Sequence, residues 1–200
     1  NADALIRDPE VNAVYIATPP SSHKDYTIAA ANAGKPVYVE KPMALNHNEC
    51  REMIKACRDN NVPLFVAYYR RALPRFLKVK SLLEAGAVGK PRFVNVTFCK
   101  ETSPRDFDEA DNWRINPAIA GGGYFHDLAS HSMDLLQFFF GKVKSARGFA
   151  SNQQKIYHAE DIVSGAMVFE NLIHVSFMWN FNAYRSLDRT EIVGSRGKIV

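Results

Sequence analysis

The chain of 200 residues has little of what marks several specialised classes of protein. It has only three cysteines, and Cys50 and Cys57 lie about 10 Å apart along a predicted helix, too far for a disulfide. Neither their number nor their spacing is typical of a metal site. No apolar run approaches the roughly 18 residues of a membrane span. We therefore expect no metal, no membrane segment and a reduced, cytoplasmic setting.

Net charge is also low. The 25 basic and 21 acidic side chains give a formal charge of +4, with both signs mixed along the chain. The run from Tyr68 to Arg71 is the nearest thing to a nucleic-acid patch, because it clusters aromatic and basic residues as base-stacking grooves do. Since no wider basic field surrounds this run, we predict no nucleic-acid partner.

A further absence is the glycine-rich turn G-x-G-x-x-G, which holds the pyrophosphate of a dinucleotide. Gly121 and Gly123 have the first spacing of that motif, but position 126 is His. Nothing in this sequence therefore matches the usual pyrophosphate cradle.

The first third of the chain alternates strand and helix patterns. Short apolar, β-branched runs cover 11–18, 36–40 and 62–67. Ser22, with Asp25 three residues later, and Asn46, with Glu49, give the signals that start the two intervening helices. Strands separated by helices of this length predict right-handed crossovers and a parallel sheet.

Ligands of such sheets bind beyond the carboxyl ends of the strands. Here those ends are Thr18, Glu40-Lys41 and Tyr68-Tyr69. Because Pro42 disfavours helix at the preceding residue, Lys41 is expected to face the crevice. Its ammonium there would bind a substrate hydroxyl and stabilise an alkoxide. The alternative is an ordinary lysine that leaves a strand.

The remainder of the chain changes character. A helix is predicted over 74–84, an alternating strand over 92–99 and a long loop over 100–120. Another alternating strand covers 172–181, and 191–200 resembles a hairpin. Helices followed by strands of this kind predict an α+β second domain.

Asp127 and His131 lie four residues apart on a helix predicted from the triple glycine to about Phe140. They therefore share one face, which Asp134 continues. A carboxylate beside an imidazole orients it and raises its basicity, as a general base needs. A surface Asp–His pair would have the same spacing, so both interpretations stay open on spacing alone.

Taken together, several segments resemble the glucose–fructose oxidoreductase and inositol dehydrogenase family (Gfo/Idh/MocA). They are Ala17-Thr18-Pro19-Pro20 with His23, Glu40-Lys41-Pro42, Trp113-Arg114, and Gly121-Gly122-Gly123 followed by Asp127 and His131. The Glu-Lys-Pro motif alone is weak, but its combination with the later glycine, Asp and His pattern is specific.

The resemblance implies an α/β plus α+β fold. Residues 1–72 would form the C-terminal part of a dinucleotide-binding Rossmann domain with a parallel sheet. Residues 73–200 would form an incomplete substrate-binding and oligomerisation domain, a mostly antiparallel sheet with helices on one face. Dimers or tetramers built on that sheet are expected. The strand over 172–181 supports this, since Leu172 and Met178 lie opposite its core-facing residues.

It also implies a function: hydride transfer between NAD or NADP and a sugar, polyol or related compound. Lys41, Asp127 and His131 would be catalytic. The expected cofactor-binding residues are Thr18, Pro19, Pro20, His23, Glu40, Lys41, Trp113 and Arg114. Two alternatives are a non-catalytic dinucleotide-binding regulator and an NAD-dependent glycosidase of the same family.

The pattern differs from the family at both ends, because neither the glycine fingerprint nor the end of the second domain is present. We therefore expect the chain to be part of a longer protein. The 200 residues alone are expected to bind dinucleotide weakly, to be poor catalysts and to associate through the edge of their first strand.

Overall fold

The computed structural model describes residues 1–108 and 112–200, and these form two β-sheets with helices. The first sheet contains β1 (Val14–Ile16), β2 (Val37–Val39) and β3 (Leu64–Val66), with helices α1 (Ala2–Arg7), α2 (His23–Asn32) and α3 (His47–Asp59). The second contains β4 (Pro91–Cys99), β5 (Val143–Ser151), β6 (Ile162–Phe169), β7 (His174–Asn180), β8 (Leu187–Gly194) and β9 (Lys198–Ile199), with helices α4 (Pro74–Glu84), α5 (Pro117–Ala120) and α6 (Ser130–Phe140).

The first sheet is parallel in the order β1-β2-β3, as the alternating pattern predicts. Its strands are three residues long, shorter than the apolar runs that predicted them. On one face Val14, Ile16, Val37 and Val39 pack in a core with residues of α2 and α3. On the other face the aromatic side chains Tyr15, Tyr38 and Phe65 are exposed.

The two helix starts of this region behave differently. Asn46 caps α3 as predicted, because its side chain accepts a hydrogen bond from the backbone N–H of Glu49. The predicted capping box at Ser22 is wrong. The Ser22 hydroxyl donates to the Thr18 hydroxyl at 2.6 Å, and a 3₁₀ turn, Pro20–Ser22, leads into α2. A turn this tight directs the Ser22 side chain back to the strand end.

The second sheet has the order β5-β6-β7-β4-β8-β9, with β4 parallel to β7 and every other pair antiparallel. The alternation predicted for the strand over 172–181 is confirmed. Val175 and Trp179 are buried, whereas Leu172 and Met178 are exposed. The predicted hairpin is also confirmed, since β8 and β9 pair around a turn closed by Gly194 and Gly197.

Helices α4 and α6 cover one face of this sheet and enclose the main core. The predicted long loop over 100–120 is only partly a loop. It contains 3₁₀ turns at Pro104–Phe107 and Trp113–Ile115 and the short helix α5, while 109–111 lie outside the described residues. Pro104 and Pro117 start two of these elements. Proline at a first position favours a helical turn, although the hydrophobic periodicity of this region gives no helix signal.

The core of the second sheet supplies a test of the fold. Phe169 is fully buried and packs edge-on against Phe140 with ring centroids 5.7 Å apart. Phe169→Ala is expected to lower the free energy of unfolding by about 3–5 kcal/mol, because it leaves a cavity in the core. Tyr184→Ala is the matched control, since that ring is 96% exposed. Equal urea-unfolding midpoints for the two variants would contradict this core assignment.

Candidate active site

Lys41 and Asp127 form an ion pair between the two sheets. Lys41 follows β2, and its Nζ lies 2.5 Å from Oδ1 of Asp127, with the backbone oxygen of Asp127 at 3.4 Å. The Arg114 guanidinium approaches the other carboxylate oxygen, with Nε 3.6 Å from Oδ2. Both members of the pair are largely buried, with side chains 16% and 10% exposed. The strand end and the triple-glycine region therefore meet, although 86 residues separate them.

Asp127 does not lie in a regular α-helix as predicted. It lies in a π-helical segment, Phe125–Ala129, which continues into α6 at Ser130. The wider π turn changes the relative direction of Asp127 and His131 from that of two residues one α-helical turn apart. Single π turns inside helices are frequently found at functional sites.

His131 is buried near the ion pair, with 3% of its surface exposed. Burial first, and then the positive charges of Arg70 and Lys41, lower the pKa of His131 to about 4, against smaller opposing effects of Asp127 and Glu40. Asp127 thus acts in the direction expected from the sequence, but its effect on the pKa is smaller than that of burial, which disfavours the imidazolium.

The imidazole of His131 is enclosed by two aromatic rings. Tyr68 and Tyr69 lie edge-on to it, with ring centroids 6.1 and 5.3 Å away. The Nδ1 atom is buried and has no hydrogen-bond partner among the described residues. The sequence placed both tyrosines at the end of β3, where a site is expected, but gave them no role. Only their position at a strand end could have indicated one.

Asp134 belongs to a different contact. Its buried carboxylate accepts two hydrogen bonds from the Arg71 guanidinium, at 2.8 and 2.5 Å. The pair joins α6 to the 3₁₀ turn Tyr69–Ala72. This turn carries Tyr69 and directly follows Tyr68, so the Arg71–Asp134 pair supports the wall of the site without being part of it.

His23 is fully buried behind the strand ends. Its Nε2 lies 2.7 Å from the Thr18 carbonyl oxygen, and its Nδ1 lies 3.0 Å from that of Pro42. Both ring nitrogens therefore lie against backbone carbonyl oxygens, and His23 joins the ends of β1 and β2. Its contact with a cofactor stays a prediction.

The remaining residues expected to contact a cofactor have separate contacts and exposures. Glu40 accepts hydrogen bonds from the Tyr15 hydroxyl and from the backbone N–H of Lys41. Thr18 is exposed at the end of β1, followed by half-buried Pro19 and buried Pro20. The guanidinium of Arg114 lies 4.4 Å from the Trp113 ring centroid. Their contact with a cofactor stays a prediction.

Comparison with known proteins identifies the family. Residues 1–68 match the model described as oxidoreductase family, NAD-binding Rossmann fold, and residues 76–200 match the GFO/IDH/MocA C-terminal domain. The two matches cover nearly the whole chain. The chain belongs to the Gfo/Idh/MocA family of oxidoreductases, as its motifs predict.

Named relatives agree with this assignment. Oxidoreductase P35 of Formosa agariphila is 42% identical over the whole chain, which spans 62% of that protein. Levoglucosan dehydrogenase of Pseudarthrobacter phenanthrenivorans is 33% identical over 74% of the chain and 38% of its own length. The chain thus spans between about a third and two thirds of these relatives.

Solved structures show the same fold. A levoglucosan dehydrogenase in complex with NADH and levoglucosan superimposes with a TM-score of 0.89 at 29% identity, over all of this chain and 56% of that one. The WlbA dehydrogenase from Bordetella pertussis, in complex with NADH and UDP-GlcNAcA, gives 0.88 at 29% identity, over 99% and 57%. A parallel Rossmann-type sheet followed by a mostly antiparallel one is therefore shared with these enzymes.

The part of the chain that the structure describes contains neither a candidate membrane span nor a candidate metal cluster. Across residues 1–108 and 112–200, no helix combines the length and the apolar character needed to cross a bilayer. Within the same ranges, no cluster of three or more His, Cys, Asp or Glu side chains has an arrangement that could hold a metal ion.

The buried state of His131 predicts a pH dependence of stability. An unfolded histidine has a pKa of about 6.5, so between pH 6.5 and about 4 the unfolded chain binds a proton at His131 that the folded chain does not. Stability present above pH 6.5 is therefore lost as the pH falls through this window. We expect His131→Gln to lose less free energy of unfolding than the unchanged protein between about pH 7.5 and 5. Parallel urea-unfolding results for the two proteins would contradict the buried neutral imidazole.

Proposed function

We propose that the protein transfers hydride between a nicotinamide cofactor, NAD or NADP, and a hydroxyl or carbonyl of a sugar, polyol or related compound. The observation that carries this proposal is the Lys41–Asp127 ion pair beside the buried His131. A cationic donor and a neutral base at one cleft are what oxidation of an alcohol needs.

The residues present fit the nicotinamide half of such a cofactor. Thr18 and Pro19 at the end of β1 and Lys41 at the end of β2 border the crevice where doubly wound sheets bind dinucleotides. The unpartnered, buried Nδ1 of His131 further shows that the cleft holds polar capacity that the described residues do not use. When bound, the nicotinamide would supply the acceptor or donor of hydride.

Each side chain of the site has a distinct task in this proposal. An ammonium has three N–H donors, and Asp127 takes up to two of those of Lys41 through its carboxylate and backbone oxygens. A third donor remains to hold the substrate oxygen and to stabilise the alkoxide. The imidazole of His131 is neutral near pH 7 and accepts the hydroxyl proton at its unprotonated nitrogen. Asp127 holds the Lys41 ammonium in place by their ion pair.

The relatives support a carbohydrate-like substrate. They include a levoglucosan dehydrogenase, a myo-inositol 2-dehydrogenase of Thermotoga maritima and a 1,5-anhydro-D-fructose reductase of Ensifer adhaerens. The retained Lys41, Asp127 and His131 support an enzyme over a dinucleotide-binding regulator. A glycosidase would release an intact sugar with no net change of cofactor. We also propose a cytoplasmic location, because all three cysteines are free thiols.

The function is tested by measuring NADH or NADPH absorbance with a panel of myo-inositol, levoglucosan and related polyols. Each compound is offered with NAD⁺ and with NADP⁺. Substrate-dependent reduction of either cofactor supports the proposal. Dinucleotide binding without turnover of any compound in the panel would favour the regulator, and release of an aglycone without net reduction would favour the glycosidase.

Lys41→Ala and His131→Ala are each expected to lower kcat by about 10²–10⁴ while leaving dinucleotide affinity within a few-fold. The reason is that both groups act on the substrate oxygen as its charge develops, whereas the pyrophosphate is held elsewhere. Steady-state kinetics and dinucleotide titration separate the two effects. Lys144→Ala, which removes an exposed lysine of β5, is the control. Near-unchanged turnover of His131→Ala would show that another residue is the base.

We further propose that the protein is a homo-oligomer assembled on the outer face of the second sheet. Phe149 on β5 and Met178 on β7 lie in one cross-strand row on this face, on either side of Ser164. Phe149 is 83% exposed, and Phe93 and Leu187 add apolar surface on β4 and β8. Several large apolar side chains exposed on one face of a sheet are consistent with an interface there.

Phe149→Arg combined with Met178→Arg is expected to convert the oligomer to monomer, because the interface would have to bury unpaired arginine charges against apolar surface. Sedimentation velocity at about micromolar concentration measures the mass. Tyr184→Arg is the control, since Tyr184 is exposed but lies outside the strands. A monomeric mass for the unchanged protein would contradict the proposed assembly.

A further inference from the structure

The segment Pro42–Leu45, which follows Lys41, is held from two sides. From the first sheet, Nδ1 of His23 contacts the carbonyl oxygens of Pro42 and Met43 at 3.0 and 3.2 Å. From the second sheet, Nε2 of His126 lies 3.2 Å from the carbonyl oxygen of Ala44. The sequence assigns no role to His126, which only breaks the G-x-G-x-x-G pattern. It is nevertheless the residue that directly precedes Asp127.

The triple glycine gives His126 and this segment the room to meet. A Cβ on Gly121 would lie 2.6 Å from the Leu45 carbonyl oxygen and 3.0 Å from Nε2 of His126. A Cβ on Gly122 would lie 2.9 Å from the Cβ of His126. Gly121 also has a φ of +85°, a backbone conformation that residues with a side chain rarely adopt. The glycines therefore allow the Lys41 segment to pack directly on the turn before Asp127.

We propose that His126 is a positioning residue, whose Nε2–H donates to the Ala44 carbonyl and thereby sets the distance between Lys41 and Asp127. His126 directly precedes Asp127, and Ala44 lies three residues after Lys41. A hydrogen bond between His126 and Ala44 therefore links the two chain segments that carry the ion pair. This hydrogen bond between the Ala44 carbonyl and the His126 ring fixes the backbone positions from which the Lys41 and Asp127 side chains extend. The part of this proposal that concerns catalysis rests on the proposed function, whereas the part that concerns geometry does not.

The physical reason is that a lysine side chain is long and loses much conformational freedom when it is held. When a mobile side chain is held in an ion pair, the loss of side-chain entropy offsets part of the Coulomb energy. Backbone segments that are already fixed reduce this cost. His126 supplies such a fixed point without touching the Lys41 ammonium or the Asp127 carboxylate in any described hydrogen bond.

Three variants separate the hydrogen bond from the shape of the ring. His126→Gln keeps an N–H donor at a similar reach, whereas His126→Phe and His126→Leu remove the donor and keep apolar bulk. The readout is the rate at which acetic anhydride acylates each lysine, measured by peptide mass spectrometry. An ammonium held on Asp127 is shielded from acylation, so loss of positioning exposes Lys41.

Two other lysines serve as internal references. Lys144 is exposed and reports reagent activity, and Lys35 is buried, with its ammonium bonded to the backbone oxygens of Asp8 and Val11. We expect both donor-free variants to raise acylation of Lys41 about five-fold relative to Lys144, with Lys35 unchanged and His126→Gln close to the unchanged protein. An increase at Lys41 and Lys35 together would show general loosening and overturn the proposal. Unchanged Lys41 acylation, or equal increases in all three variants, would also overturn it.

Once a substrate of the panel is identified, steady-state kinetics of the same His126 variants give a second test. His126→Phe and His126→Leu are expected to lower kcat about five-fold or more with little change in dinucleotide affinity, and His126→Gln to restore most of the loss. Because acylation needs no turnover, a protein that oxidises no compound of the panel can still support the positioning role. Conversely, full kcat in the donor-free variants would overturn that role and leave the proposed function intact.

Discussion

The ion pair between Lys41 and Asp127 is the contact on which the site depends, because its two members come from different sheets. The end of β2 presents the lysine, and the turn before α6 presents the aspartate. His131 lies in the first turn of α6, so the same contact that joins the sheets brings the imidazole to the strand ends. Tyr68 and Tyr69 then complete its enclosure from the end of β3. One electrostatic contact thus joins the strand ends to the helix that carries the imidazole.

The sequence predicts the parallel sheet, the alternating strand β7 and helix α4 because each depends on a local pattern. Proline at position 74 and glycine at position 86 bound α4, and its predicted limits agree with the structure. Predictions fail where tertiary contacts override such patterns. The hydroxyl of Ser22 bonds Thr18 in place of a helix cap, and the α-helical spacing of Asp127 and His131 is replaced by a π turn. Neither contact leaves a signal in residue spacing.

For the candidate site, too, the sequence predicts some properties and not others. Which residues come together follows from motifs, but their charge states follow from burial, which a single sequence does not reveal. Asp127 next to His131 suggests a more basic imidazole and does act in that direction, but burial and the positive charges of Arg70 and Lys41 outweigh it. His126 was missed because its partner is a backbone oxygen, and backbone partners carry no sequence signature.

The separation of 86 residues between Lys41 and Asp127 has a consequence for the order of folding. Contacts close in sequence, such as those within α3 or the β8–β9 hairpin, close small loops and form early. A contact across a loop this long costs more chain entropy and is rewarded only after both sheets exist. The Lys41–Asp127 contact is therefore expected to be among the last to form. An intermediate with complete secondary structure would still lack it.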